Sequence, residues 1–149
     1  MDFEALIRSR AIEPVDMGDR EIAGLLMVSE RDVRASASMV DTDLDWAFAI
    51  AYNGILQASI AYMGYVGYRP RGEGKHFNTF RFIEQALPDH SATIRRLQRL
   101  RRKRNAAIYE QSGLVSEQEA HDVIEFAAKY CDLIESLMPS TITDLISRE

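Results

Sequence analysis

Apolar residues recur every three or four positions through most of this chain, which is the spacing of one face of an α-helix. The first long segment covers about residues 20–40, and Asp19 stands before it as a plausible N-cap. The pattern predicts an amphipathic helix that packs through a single face. The stripe consists of Ile22, Leu25, Leu26, Ser29, Val33, Ala37 and Val40.

A second segment, about residues 43–67, is apolar on nearly all sides and can be capped by Asp41 or Thr42. A helix of this kind lies at the centre of a bundle or beneath another subunit. We therefore expect a central helix and a homodimer. The alanines and glycines of the segment favour close helix packing over a membrane span, so no membrane association is expected.

Three further segments read as helices, at about residues 76–86, 91–111 and 116–138. Proline and glycines at 69–74 predict the loop before the first of them. Gly113 is a natural left-handed residue at the end of the second. The short helix is expected to bury Phe77, Phe80, Phe82, Ile83 and Leu87.

Ser116 and Glu119 form a capping-box sequence, which marks the start of the last helix. No segment shows the alternation of a convincing strand. The predicted fold class is therefore all-α, an up-and-down bundle of four or five helices. A single domain is expected over residues 19–149, preceded by an N-terminal arm of residues 1–18 with one short helix.

Composition narrows the classes of protein that the chain can belong to. A formal net charge of -5 argues against general nucleic-acid affinity of the whole molecule. Cys131 is the only cysteine, so we expect a buried, inert thiol and neither a disulfide nor a cysteine metal site. No metal or cofactor is predicted. Asp2 and Glu4 stand where a signal peptide would be basic, which makes a cytoplasmic protein the default expectation.

Positive charge is concentrated in the 91–111 helix, where residues 95–104 hold seven of the chain's 18 basic side chains. Like charges so close on one helix repel each other, so acidic partners or bound phosphates should offset them. In the first alternative, the basic side chains form a solvated face that pairs with acidic residues of the last helix, such as Glu117, Asp122 and Glu125. The phosphate alternative makes Arg99, Arg101, Arg102 and Lys103 nucleic-acid-binding candidates.

Arg104 differs from the other basic residues because it falls within the apolar stripe of its helix. At about 100° per residue it shares a narrow sector with Leu97, Leu100 and Ile108. A guanidinium at such a position needs hydrogen-bond partners to offset its desolvation. It is either a structural arginine satisfied by carbonyls and acids, or it lines a groove that admits an anion.

Asn105 and Tyr109 are four residues apart beside Arg104, so on an α-helix their side chains are neighbours. They can hydrogen-bond to each other at the edge of a helix–helix interface, which is a structural role. They can also complete a polar pocket around Arg104 that suits a phosphate.

This arrangement resembles the HEPN superfamily of helical domains, whose motif is Arg, four to six residues (often starting with Asn), then His. Here the motif reads Arg104-Asn105, with Tyr109 in the His position. Ala51-Tyr52 on the central helix and Gly74-Lys75-His76 before the short helix are also similar to the family pattern. The resemblance implies a homodimer in which two motifs meet, and a nucleotidyltransferase as a possible partner protein.

In catalytic members of the family the resemblance implies metal-independent RNA cleavage, with Arg stabilising the phosphate and His assisting the ribose 2′-hydroxyl. A tyrosine hydroxyl, whose ordinary pKa is about 10, is a poor base at neutral pH. Of the other imidazoles, His90 and His121 are expected at the surface, and His76 is the best outside candidate.

Three hypotheses follow from these residues. The first is a non-catalytic dimer that binds RNA, a nucleotide or a partner protein through a cleft around Arg104, Asn105 and Tyr109. The second is a toxin-like endoribonuclease in which these three are catalytic residues: Arg104 binds the phosphate, Asn105 positions it and Tyr109 replaces His. The third is a helical interaction bundle with a structural Arg104.

Overall fold

A computed structural model of the chain describes residues 3–146 and shows an all-α helical bundle, which confirms the predicted fold class. Residues 1–2 of the predicted arm and 147–149 of the predicted domain lie outside this range. The helices are α1 (Glu4–Arg8), α2 (Asp19–Met39), α3 (Leu44–Val66), α4 (Lys75–Ala86), α5 (Ser91–Asn105), α6 (Glu117–Ser136) and α7 (Ser140–Thr143). A 3₁₀ turn at Pro88–His90 precedes α5, and a π-helical segment, Ala106–Glu110, continues it. The strands are β1 (Ile12–Pro14) and β2 (Tyr68–Pro70).

The two short strands correct the expectation that the chain holds no β-structure. They pair antiparallel, with Ile12 opposite Pro70 and Pro14 opposite Tyr68. Each has three residues, which is too short for a visible alternation of apolar and polar side chains. The strands pair because the segment that follows α1 lies beside the segment that follows α3 and runs in the opposite direction. Part of the predicted 69–74 loop is therefore strand.

Helix α3 is the centre of the bundle, as its sequence predicts. It packs against α2, α4, α5 and α6, and its exposed aromatic side chains, Trp46 and Tyr65, stand towards its two ends. Its cap is Asp43, whose carboxylate accepts from the Trp46 N–H at 3.0 Å, in place of the expected Asp41 or Thr42. Because helices of the same chain cover α3, its apolar surface does not require a second subunit.

The packing of α2 on α3 departs from the predicted apolar stripe. Ala37 is exposed, whereas Asp32 and Ser36 are buried beside Ser29. Polar burial is tolerated here because each group is bonded: the Asp32 carboxylate accepts from Asn53 Nδ2 at 2.6 Å, and Ser29 Oγ donates to the Gly54 carbonyl at 2.8 Å. The N-cap of α2 is Gly18, which leaves Asp19 in the first helical turn, where the helix dipole favours a negative charge.

The N-terminal segment contributes to the same core as the helices. Leu6 and Ile12 are fully buried, and the Phe3 ring stacks on Phe82 with centroids 4.4 Å apart. Cys131 is buried as predicted, with Sγ 2.6 Å from Ser29 Oγ, and burial raises its pKa to about 11. Within residues 3–146, no helix has both the length and the apolarity that crossing a bilayer requires.

The connection from α5 to α6 is fixed from the central helix. Asp45 accepts from the Gly113 N–H at 2.7 Å and from the Val115 N–H at 3.1 Å. Gly113 has φ +76°, so the predicted left-handed residue is confirmed. The capping box of Ser116 and Glu119 is also confirmed, with both of its hydrogen bonds formed. This connection holds the end of the basic helix against the bundle.

Candidate functional site

The basic side chains of α5 meet few of the acidic partners that the sequence suggested. Lys103 Nζ lies 3.1 Å from Glu119 and donates to the Leu114 carbonyl at 3.0 Å. The three carboxylates expected to pair with α5 bond within α6 instead: Glu117 with His121, Asp122 with Gln118 and Glu125 with Lys129. The prediction that α6 pairs with α5 holds for Glu119 and is wrong for these three residues, because side chains four residues apart on α6 satisfy one another first.

Helix winding divides the positive charge of α5 between two faces. Arg96, Arg99 and Lys103 line a groove against α6, where the Arg96 guanidinium lies 4.3 Å from the centroid of the Phe126 ring. Arg101 and Arg104 lie towards α3 and α4. The side chains of Arg99 and Arg102 are exposed and have no hydrogen-bond or ion-pair partner among the residues described. Of the four predicted nucleic-acid-binding residues, Arg99 and Lys103 thus share the groove against α6, whereas Arg101 lies against Phe77 of α4.

Arg104 is half-buried and poorly satisfied. Its guanidinium carbon lies 5.5 Å from the centroid of the Tyr52 ring and 5.4 Å from that of Tyr109. Nη1 donates to Asn105 Oδ1 at 3.1 Å, while Nε is buried without a partner within residues 3–146. Arg104 is thus not a structural arginine saturated by carbonyls and carboxylates. The Asn105 oxygen serves Arg104, not Tyr109 as its spacing had suggested.

The π-helical segment explains how Tyr109 reaches Arg104. The predicted α-helix to residue 111 ends at Asn105, and the Gln111 N–H then bonds to the Ala106 carbonyl five residues back. On an α-helix, two residues five apart point about 140° away from each other. The wider turn of a π-helix brings Tyr109 back over Arg104. Tyr109 is 73% exposed, so its ring remains accessible to a ligand.

The structure brings a third aromatic residue, His76, to the same place from the first turn of α4. His76 Nδ1 lies 3.1 Å from the Tyr52 hydroxyl. Burial lowers the pKa of His76, and the positive charges of Arg104 and Arg101 lower it further. Burial raises the pKa of Tyr52, and the same two arginines offset only part of that rise. Both side chains are therefore neutral at physiological pH.

Phe77, next to His76, is 43% exposed, which corrects the expectation that it is buried. Two guanidinium groups lie over its ring. The guanidinium carbon of Arg101 is 5.3 Å from the ring centroid, and that of Arg81 is 5.6 Å from it. Gln98 fixes this corner, since it donates to the Phe77 carbonyl at 3.1 Å and accepts from Arg101 Nε at 2.8 Å. Sequence spacing alone gave no signal for this approach of α4 to α5.

Six side chains thus form what we term the Arg104 cluster: Tyr52, His76, Arg101, Arg104, Asn105 and Tyr109. No family model, curated protein or solved structure matches this chain. The resemblance to HEPN domains accordingly stays a prediction that rests on the motif residues. Residues 3–146 contain no group of three or more metal-ligating side chains.

The Arg104 cluster combines two guanidinium groups, a neutral imidazole and an accessible aromatic ring. The candidate residues of α5 and its π-helical extension come together in it with His76 and Tyr52, which the sequence had also singled out; they are Arg101, Arg104, Asn105 and Tyr109. Arg99 and Lys103 line the groove against α6 instead. Guanidinium groups bind phosphate oxygens, and an aromatic ring stacks on a nucleobase, so this arrangement is chemically suited to a nucleotide strand.

Proposed function

We propose that the Arg104 cluster binds single-stranded RNA, with a phosphate on Arg104 and Arg101 and a base against Tyr109. The observation that carries this function is the incomplete hydrogen bonding of Arg104. A guanidinium has five N–H donors, and within the described chain Arg104 uses one of its nitrogens, to Asn105. Because Nε is buried, a phosphate would accept from the terminal nitrogens of the guanidinium, which suit its oxygens in geometry.

The surroundings of Arg104 favour a single strand over a duplex. Tyr109 and Phe77 are exposed rings beside guanidinium groups, and unpaired bases stack on such rings with little sequence preference. Bases in a duplex are stacked on each other and do not present their faces. The net charge of -5 confines attraction for RNA to this basic region.

The resemblance to HEPN domains adds a homodimer in which two such clusters meet, with a nucleotidyltransferase as a companion. Binding of a phosphate by Arg104 requires neither, because all six residues of the Arg104 cluster come from one chain. Pairing of two clusters would lengthen the bound strand. Light scattering at micromolar concentration separates the monomer from the dimer.

The proposed function is tested by fluorescence anisotropy with a labelled single-stranded RNA and the Tyr109→Ala variant. Loss of a stacked base is expected to weaken binding about 5- to 150-fold. Tyr65→Ala is the matched control, since Tyr65 is also an exposed tyrosine and lies about 20 Å from Tyr52 along α3. The dissociation constant of the wild-type protein should also rise steeply with salt, because phosphate binding releases counterions.

An RNA affinity that is the same in Tyr109→Ala and Tyr65→Ala would rule out this binding site. Absence of any binding at low salt would leave the third hypothesis, an interaction bundle, as the remaining description.

A further inference from the structure

A second basic cavity lies at the start of helix α4, where the paired strands β1 and β2 meet it. Its volume is about 440 Å³, which is within the range of pockets that hold small ligands. None of the residues that line it belongs to the Arg104 cluster, so it is a separate candidate site. They are Glu13, Arg69, Pro70, Arg71, Gly72 and Lys75.

Strand pairing and the loop after β2 hold the charged residues of this cavity in place. Glu13 lies opposite Arg69 in the β1–β2 register, and its carboxylate accepts from Arg69 Nε at 2.7 Å. The backbone N–H of Arg71 donates to the Ala11 carbonyl at 3.0 Å, and the Arg71 carbonyl accepts from Asn78 Nδ2 at 3.2 Å. The backbone between β2 and α4 is therefore attached both to the N-terminal segment and to α4.

The positive charge that lines the cavity exceeds the negative charge that the chain supplies to it. Arg71 Nη1 lies 3.5 Å from the Glu13 carboxylate that also binds Arg69, so two guanidinium groups share one anion. Lys75 is exposed and has no ion-pair partner within residues 3–146. Glu73, in the same loop, does not line the cavity. The guanidinium and ammonium donors that Glu13 leaves free are suited to a further anion.

Lys75 connects this cavity to the proposed RNA site, because the next residue on α4 is His76 of the Arg104 cluster. Consecutive Cα atoms are only about 3.8 Å apart, so a strand that leaves the Arg104 cluster reaches the cavity within a few nucleotides. We infer that the cavity, which we term the Arg71 pocket, binds a second phosphate within the same RNA strand. This inference rests on the RNA binding proposed above and adds a path for the strand, from Tyr109 across the first turn of α4 to the β1–β2 pair.

The first test measures how the dissociation constant of a 3′-labelled single-stranded RNA of about eight nucleotides, with a 5′-hydroxyl end, depends on salt. Each phosphate contact of a single strand contributes about 0.7 to the slope of the logarithm of affinity against the logarithm of salt concentration. Lys75→Gln is expected to reduce that slope by about 0.7 and to weaken binding at low salt about two- to fivefold. Lys129→Gln is the matched control, because Lys129 is exposed on α6 and pairs with Glu125. Its slope and its affinity should equal those of the wild type.

Glu13 gives a second test with the opposite sign. Its carboxylate competes with a phosphate for Arg69 and Arg71, so Glu13→Gln is expected to strengthen RNA binding about two- to fivefold at low salt. Glu125→Gln, which removes an exposed carboxylate from α6, should leave the affinity unchanged. A gain of affinity does not arise from a damaged fold, so this variant is informative even if it unfolds more easily.

Equal slopes in Lys75→Gln and Lys129→Gln, together with an unchanged affinity in Glu13→Gln, would overturn the second phosphate contact and leave the proposed function standing. An effect of Lys75→Gln that is confined to strands with a 5′-phosphate would also overturn it, because the Arg71 pocket would then hold the end of a strand. A wild-type protein that binds no RNA would overturn the proposed function and this inference with it.

Discussion

Replacement of Arg104 by methionine separates a functional arginine from a structural one, because the first predicts almost no change in stability and the second a large loss. Methionine keeps an unbranched apolar stem that reaches about as far as Nε, and it removes the guanidinium. The substitution removes one hydrogen bond to Asn105 and the cation–π contacts with the rings of Tyr52 and Tyr109. These contribute about 0.5–1.5 kcal/mol for the bond and about 0.5–1 kcal/mol for each ring.

The substitution also removes the buried Nε, which has no hydrogen-bond partner within the described chain, and this offsets the loss. A buried, unsatisfied N–H costs about 1–3 kcal/mol, and methionine removes that cost. The opposing contributions nearly cancel, so the free energy of unfolding of Arg104→Met should stay within about 1 kcal/mol of the wild type. For a chain of this length, that corresponds to a shift in melting temperature of at most about 4 °C.

RNA binding should change far more than stability does. Loss of a charge-assisted hydrogen bond to phosphate costs about 1.5–3 kcal/mol, which is about a 10- to 150-fold increase in the dissociation constant. Calorimetry and fluorescence anisotropy on the same preparation measure the two quantities. Arg34→Met is the control, since Arg34 is exposed on α2, away from the Arg104 cluster, and should change neither.

A structural Arg104 would give the reverse result. Breaking a satisfied buried ion pair costs about 3–5 kcal/mol, so a loss of that size with unchanged RNA affinity would refute the reasoning.

Two further predictions concern the bundle that carries the Arg104 cluster. Gly54→Ala should lower the free energy of unfolding by about 1–3 kcal/mol in urea titrations, because its Cβ would lie 3.0 Å from Val33 Cγ2 and 3.2 Å from the Ser29 carbonyl oxygen. Gly24→Ala, which meets nothing within 4 Å, should instead raise it, and equal effects would contradict the packing explanation. Hydrogen bonding to the Ser116 N–H, helped by Lys103, lowers the pKa of Glu119 below its ordinary value of 4.5. Its stabilising contribution is therefore complete above that pH and disappears as the pH falls through the lowered pKa. The deficit of Glu119→Ala, about 1 kcal/mol at pH 7, should shrink in acid, whereas a deficit independent of pH would exclude the carboxylate as its source.

Structural features that depend on residues close together in the chain could be predicted from the sequence. The capping box depends on Ser116 and Glu119 alone, and the burial of α3 follows from its own composition. Arg104 stood out because it interrupts an apolar stripe. In each of these cases the physical cause lies within a few residues of the feature.

Features that depend on distant parts of the chain were missed. β1 and β2 pair across more than fifty residues, and neither has a pattern of its own. The bond between Tyr52 and His76 joins two helices whose relative placement no local signal gives. Phe77 has the spacing of a core residue, yet the guanidinium of Arg101 lies against its ring.

The change of winding after Asn105 means that a count of residues between two motif positions is not a measure of their separation. Four residues stand between Arg104 and Tyr109, and a regular helix would turn their side chains to opposite sides. One extra residue in the turn makes them neighbours. A search for similar sites should therefore compare the directions of side chains and tolerate gaps of different length. Grafting these residues onto a regular α-helix would reproduce the sequence but not the arrangement of side chains that forms the Arg104 cluster.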